Sequence, residues 1–259
     1  MIPAGIPLLE AVGVGVEVDG RTLCRTLDLT VQRGERVAIL GRNGAGKSTL
    51  LSVLAGLRVP DRGEVLLGGV PYRAQTARQA ARRRGYLPQV QHDAFASSVL
   101  ETAMTGRHPH LDRLAWESDD DAEFARTALN YVGLTGMDER NVQSLSGGER
   151  QRLAVATLLT QEPNLYLLDE PLAHLDMNHA IAVLEILSSC ARQGAGVVMV
   201  LHEPGLAARY CDRVVLLAPE GAVKVGSVAE LLTSDALSAL YGLPLRTIDD
   251  RGRPWFVPE

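Results

Sequence analysis

The chain has 259 residues, of which 46% are hydrophobic, enough to bury a sizeable core as one large domain or as a domain with an inserted lobe. A formal net charge of -5 with no dominant basic stripe argues against nucleic acid as a partner, and the one basic cluster is Arg82 to Arg84. The three cysteines, Cys24, Cys190 and Cys211, are odd in number, far apart and without metal-ligand spacing, which reads as reduced packing residues and not as a disulfide framework.

No charged segment followed by a long apolar stretch opens the chain, so no secretory signal is expected. Apolar runs such as Val197 to Leu201 are far shorter than the ~20 residues a membrane span needs. A soluble chain is expected, tied to a membrane only through another subunit.

Residues 8 to 18 alternate or run apolar, and Asp19-Gly20 reads as a hairpin turn into Thr22 to Val31, giving an N-terminal antiparallel β lobe. After the turn Gln32 to Glu35 comes the apolar strand Val37 to Leu40. It delivers Gly41-Arg-Asn-Gly-Ala-Gly-Lys-Ser-Thr49, a Gly-x-x-x-x-Gly-Lys-Ser loop. Gly41, Gly44 and Gly46 let the backbone turn so that the N–H groups around Asn43, Ala45 and Thr49 cradle phosphates. A helix from Lys47 adds its N-terminal dipole, Lys47 a compact positive charge and Ser48 a hydroxyl suited to Mg2+. That helix stops near Gly56, and a short strand, Glu64 to Leu67, ends at Gly68-Gly69. Arg78 to Arg84 reads as a polar helix broken by Tyr86-Leu87-Pro88-Gln89.

From Val90 to Gln143 the pattern turns helical and suggests an inserted lobe. Ser118 to Val132 is its clearest helix: Ser118 and Asp121 resemble a capping box, the acids 119 to 121 sit in the first turn, and Phe124, Ala128, Leu129 and Val132 form one face. The second half alternates strand and helix. Leu165 to Leu168 and Val197 to Leu201 are the fully apolar runs of a doubly covered parallel sheet, with a helix from Met177 to Arg192 between them. In such sheets ligands bind outside the carboxyl ends of the strands. There the chain places the glycine loop, Asp169-Glu170 and His202. Asp169 could hold Mg2+ and Glu170 could polarise an attacking water. Ser146 and Glu149 form a capping box whose Gly147-Gly148 leave helix N–H groups approachable, a second anion site. One chain thus has two phosphate-facing elements but one lysine loop, which suggests that the second completes the site of a neighbouring copy.

Taken together, Gly41 to Thr49, Gln89 after Tyr-Leu-Pro, Leu145-Ser-Gly-Gly-Glu149, Leu165-Tyr-Leu-Leu-Asp-Glu-Pro171, Leu175-Asp176 and His202 resemble, in order and spacing, the nucleotide-binding subunit of an ABC transporter. The resemblance spans nearly the whole chain. It implies an α/β fold: a P-loop NTPase (RecA-like) core, residues 1–88 and 144–240, with the N-terminal β lobe, an inserted helical subdomain, 89–143, and a C-terminal extension, 241–259. It implies ATP and Mg2+ as cofactors, with Lys47 and Ser48 on phosphate and metal, Gln89 near the metal and the attacking water, and Glu170 as catalytic base. Ser146 and Gly148 would touch the γ-phosphate held by the opposite subunit, Asp176 would shape that interface, and His202 would contact the γ-phosphate. Taken alone, His202 would read as a core histidine; in this company it reads as functional.

The implied partners are a second copy in an ATP-sandwich homodimer, two transmembrane permease subunits and, indirectly, a periplasmic or extracellular substrate-binding protein. The implied place is the cytoplasmic face of the inner plasma membrane. Two departures stand out: Val18 occupies the place of the adenine-stacking aromatic, so stacking should be weaker or supplied from elsewhere, and Val155 to Leu158 lacks the usual arginine. Gly106-Arg-His-Pro-His110, His174-Leu-Asp176, Leu206-Ala-Ala-Arg-Tyr210 and Tyr241-Gly-Leu-Pro244 resemble, more narrowly, the ATPases of importers for iron-siderophores, haem and vitamin B12. The Asp249 to Pro258 end tilts towards the B12 group. His108 and His110, split by a proline, read as a lobe loop and not as metal ligands. The competing readings are a soluble ABC-type ATP switch in translation or DNA repair, which one domain without sustained heptads disfavours, and an exporter ATPase with the same chemistry.

Overall fold

The Asp19-Gly20 turn forms as expected in the computed structural model, which describes residues 5–90, 96–111, 117–250 and 253–259. Both turn residues have positive φ, 50° and 76°, and fold β1 (Leu9–Val18) back on β2 (Arg21–Val31). The chain then leaves for a second sheet along β3 (Arg36–Gly41), forms α1 (Lys47–Leu54), and returns with β4 (Arg62–Leu67) and β5 (Val70–Pro71). The antiparallel sheet has the order β2-β1-β4-β5.

The expected helix Arg78 to Arg84 does not form over that whole span. Helix α2 spans only Ala77–Ala81, and Arg84–Leu87 is a strand, β6, paired parallel with the strand that begins at Leu165. The run is short and carries arginine, glycine and tyrosine, so its periodicity is masked. Its glycine has a packing reason: a Cβ on Gly85 would collide with Leu158 and meet Pro163 Cγ at 3.0 Å. This strand delivers Gln89 to the sheet edge.

The helical stretch consists of α3 (Val99–Met104), α4 (Asp119–Tyr131) and α5 (Gly147–Thr160), which pack on one another. Residues 91–95 and 112–116 of the expected lobe lie outside the described residues. Ser118 caps α4 through a full capping box with Asp121, as its sequence indicates. The buried face is Ala125, Ala128 and Leu129, with Val132 following, and not Phe124. Phe124 is 44% exposed and lies beneath the Arg107 guanidinium, 4.6 Å from the ring centroid.

Arg107 also donates to Asp121 Oδ1 and Glu162 Oε2, both at 2.9 Å, and to the Thr160 carbonyl at 3.1 Å, tying α4 to the end of α5. Its side chain is 11% exposed and that of Asp121 13%. Arg107→Ala should therefore lower stability by about 2 kcal/mol, read as a shifted denaturation midpoint, because Asp121 loses its charged partner in a largely dry place. An unchanged midpoint would show that the network is dispensable.

Beyond α5 run β7 (Leu165–Asp169), α6 (Met177–Arg192), β8 (Gly196–Val200), α7 (Pro204–Tyr210), β9 (Arg213–Leu217) and β10 (Val223–Ser227). The large sheet has the order β10-β9-β3-β8-β7-β6, parallel except for β10. Period-two alternation splits its strands between two cores. Val37, Ile39, Leu165, Leu167, Val198 and Val200 join α1 and the antiparallel sheet, whereas Ala38, Leu40, Tyr166, Leu168, Val197 and Met199 face α5, α6 and α7. The chain ends with α8 (Val228–Leu231), α9 (Ser234–Tyr241) and a hairpin of β11 (Leu245–Asp250) and β12 (Arg253–Pro258). Trp255 of the hairpin closes over Gly205 of α7, where an added methyl group would stand 2.5 Å from its ring. The three cysteines are free, two of them buried. Among the described residues no helix is long and apolar enough to cross a membrane.

Candidate functional site

Four adjacent parallel strands, β3, β8, β7 and β6, end at one edge of the large sheet. Beyond their carboxyl ends stand the glycine loop, His202, Asp169-Glu170 and Gln89, so a single edge collects the expected chemistry. In the loop, Gly44 and Gly46 have φ of 74° and 95°, the left-handed values the turn requires. Gly41 serves differently from the sequence expectation. It ends β3 without a positive φ, and a Cβ there would stand 2.6 Å from the Leu217 carbonyl of β9, so it is the close strand that excludes a side chain.

The α1 ladder begins where the Leu50 N–H donates to the Gly46 carbonyl at 2.8 Å, which leaves the amides of Lys47, Ser48 and Thr49 as its open donors. The Lys47 ammonium is buried and donates to the carbonyls of Gly41, at 2.9 Å, and Arg42, at 3.1 Å. Burial pulls its pKa down, a shift opposed by the charges of Glu170 and Asp169. An incoming anion would relieve that cost.

Asp169, the last residue of β7, is 2% exposed. Burial raises its pKa, while a hydrogen bond from Ser48 and the Lys47 and His202 charges lower it. Among the described residues its buried Oδ1 atom has no hydrogen-bond partner, an unsatisfied carboxylate oxygen on a side chain that accepts from Ser48. Together with the Ser48 hydroxyl this is an all-oxygen donor set of the kind Mg2+ takes.

Glu170 follows in a strained conformation, φ 51°, that no feature of the sequence announced. The strain turns its carboxylate to His202, whose Nε2 lies 2.7 Å from Glu170 Oε1. Gln151 of α5, buried and missed in the sequence, donates to the Pro171 carbonyl at 3.0 Å and so holds the segment just after Glu170. The signal for Gln151 was available: it is a polar residue on the helix face that otherwise carries Ala154, Val155 and Leu158.

A cavity of about 640 Å3 unites part of this set: Asn43, Gly44, Gly46, Lys47, Ser48, Thr49, Gln89 and Glu170 line it. Its other end is formed by Val18, Asp19, Arg21 and Leu23, of which the sequence singled out only Val18. Gly41, Ala45 and Asp169 are not among these lining residues, and His202 is joined to them through Glu170. Ser146, Gly147, Gly148, Glu149 and Asp176 are not brought to the cavity. The first four open α5, where Ser146 and Glu149 form the capping box and Arg140 donates to Glu149 Oε1 at 2.8 Å. A Cβ on Gly148 would stand 3.0 Å from the His174 carbonyl, so the open helix end lies against the segment leading to Asp176. Asp176 caps α6, accepting from the His179 amide at 2.9 Å.

The two lobe histidines are engaged singly. His108 Nε2 is 3.2 Å from Glu117 Oε1, and His110 Nε2 is 2.9 Å from the Gln161 carbonyl. No group of three potential metal ligands from histidine, cysteine or acidic side chains occurs among the described residues.

Sheet order, glycine loop, buried lysine and edge acids define a P-loop nucleoside-triphosphate-binding protein. Residues 24–173 match the model of the ABC transporter family, and the chain belongs to that family, whose ATPase domain binds ATP. It is 38% identical to the hemin import ATP-binding protein HmuV of Burkholderia mallei, over 97% of this chain and 100% of that protein. It is 37% identical to the cobalamin import ATP-binding protein BtuD of Halobacterium salinarum, over 90% of this chain and 58% of that one. Among solved structures, an inward-facing metal-chelate type ABC transporter superimposes with a TM-score of 0.84 at 31% identity, covering 98% of each chain.

Proposed function

We propose that this chain is the ATP-binding and ATP-hydrolysing subunit of an importer for metal-chelate substrates, haem, vitamin B12 or an iron-siderophore. The relatives' names support the substrate class, and the Glu170–His202 contact of 2.7 Å at the wall of the phosphate-loop cavity is the observation that carries the hydrolytic reading. In this reading Lys47 and the open amides of α1 hold the triphosphate. Ser48 and Asp169 would hold Mg2+, with Gln89 beside them, and the bound ion would supply charge neutralisation on the phosphates.

Glu170 takes the proton of the attacking water as the water oxygen bonds to the γ-phosphorus and the bond to the ADP oxygen breaks. His202 orients Glu170 in the nucleotide-free chain and turns to the γ-phosphate once it arrives. Since Ser146 to Glu149 do not line the cavity, their anion-binding helix end serves the ATP of a second copy, and Asp176 lies at the shared interface. Residues 89–143 act as the inserted lobe that Gln89 links to the core of 1–88 and 144–240, with 241–259 as an extension.

Two permease subunits would dock the dimer at the cytoplasmic face of the membrane, fed by an external binding protein. The test is co-expression with a candidate many-span permease subunit from the same genome and reconstitution in vesicles. A haem- or cobalamin-loaded binding protein should stimulate ATP hydrolysis several-fold. A chain that hydrolyses ATP yet neither co-purifies with a membrane subunit nor responds to any loaded binding protein would overturn the transport reading.

A further inference from the structure

The cavity has two chemically distinct ends. Asn43 to Thr49, Gln89 and Glu170 make one end polar and fit for phosphates, whereas Val18, Asp19, Arg21 and Leu23 make the other. A nucleotide with its phosphates on the glycine loop would direct its base to that second end. A nucleobase is a flat ring that binds best against another flat or apolar face. Among the described residues, no aromatic side chain lines the cavity. Of the four at the second end, Arg21 alone has a planar cation, whereas the smaller Asp19 carboxylate would repel the π face of a base.

The register of the β1–β2 hairpin determines which side chains stand together. Val18 pairs with Arg21 across the turn, so the two side chains share a sheet face. Leu23 is two residues along β2 from Arg21 and falls on that face as well. Leu23 is buried against Gly46, where a Cβ would stand 2.9 Å from it, which anchors the face to the phosphate loop. The result is a platform of two aliphatic side chains with a guanidinium at its outer edge.

Arg21 also differs from its neighbours in having nothing to hold. Arg25 pairs with Glu220, Arg62 pairs with Glu17 and Arg58 donates to the Glu17 carbonyl. Arg21 is exposed, and its side chain makes no hydrogen bond or ion pair among the described residues. Its side chain is free to be spent on a ligand.

We infer that Arg21 is the base-stacking residue of this site: its guanidinium plane lies on the nucleobase, with Val18 and Leu23 supplying the apolar contact below. This rests on the nucleotide reading of the cavity and assigns its second half. Stacking on a guanidinium uses the π face of the base and not its hydrogen-bonding edge, so ATP and GTP should be held with similar affinity.

The test is calorimetric titration of the full chain with Mg·ATP, Mg·GTP and Mg·tripolyphosphate, the last having the phosphates but no base. Arg21→Ala should weaken ATP and GTP about tenfold and leave tripolyphosphate unchanged. Arg21→Lys, which keeps the charge and loses the plane, should be as weak as Arg21→Ala, and Arg21→Tyr should restore binding. Melting curves should be the same for all four proteins, because the side chain is exposed. Equal loss of tripolyphosphate, or full affinity in Arg21→Lys, would show that Arg21 acts on phosphate charge and overturn the assignment, as would unchanged ATP affinity in Arg21→Ala. A wild-type chain that binds tripolyphosphate but no nucleotide would also overturn it while leaving the phosphate loop intact. Failure to bind any of the three would instead overturn the nucleotide reading beneath it.

Discussion

Glu170→Gln should cut ATP hydrolysis by about a thousandfold while leaving ATP binding close to that of the wild type. The glutamine keeps the size of the side chain and a carbonyl oxygen for His202, so the 2.7 Å contact at the cavity wall has a substitute. What it loses is the ability to take a proton from water. A second effect is expected from the proposed role of the Ser146 to Glu149 helix end in the site of another copy. The cavity is lined by the glycine loop and not by Ser146 to Glu149, so ATP trapped without hydrolysis should recruit the helix end of another copy. With ATP and Mg2+ the variant should elute from gel filtration as a stable dimer, and without nucleotide as the wild type does. Strictly monomeric elution would count against a shared site, and retained hydrolysis would remove Glu170 from the role of base.

Asp169→Asn should produce two large effects of opposite sign. Hydrolysis supported by Mg2+ should fall by at least about a hundredfold, because the buried oxygen without a protein partner would no longer carry a charge. The nucleotide-free fold should become more stable. Burial raises the Asp169 pKa, so the folded chain binds that proton more tightly than the unfolded chain does. The ionised carboxylate therefore costs stability at neutral pH, and the cost disappears below the ordinary carboxylate range. Thermal melting at pH 7 should show Asp169→Asn above the wild type, with the difference closing towards pH 3. A lower melting temperature at pH 7 would mean that the charge is compensated in the fold and that Asp169 is not held in a strained ionic state. Stability given up at one residue for the sake of a ligand is the expected pattern of a functional site.

Much of the fold was legible because its strands are short and extreme in composition. Val37 to Leu40, Leu165 to Leu168 and Val197 to Leu201 are apolar on both faces, which only a doubly covered sheet accommodates, and each proved to be buried between two cores. The capping boxes at Ser118 and Ser146 were legible for a local reason, since the bonding residues are three apart. Arg84 to Leu87 was not, because a strand of four residues with an arginine and a glycine owes its existence to pairing with β7, more than 75 residues away. Phe124 was placed on the wrong face of its helix. Apolarity alone assigned it inward, whereas the Arg107 guanidinium gave it an exposed place.

The sequence by itself determined the chemistry that is local: a loop of fixed spacing for phosphate, two acids at a strand end, a capped helix with glycines in its first turn. These follow from backbone freedom and short-range hydrogen bonds, which need few neighbours. The tertiary structure decided what is assembled over distance. It set β6 beside β7 so that Gln89 reaches the edge, turned Glu170 through a strained φ onto His202, buried Gln151 behind it, and brought Arg21 and Leu23 over the cavity. It also kept Ser146 to Glu149 out of that cavity. Which side chains meet across a sheet edge depends on strand order and register, and those are fixed by the packing of the whole core and not by any window of the chain.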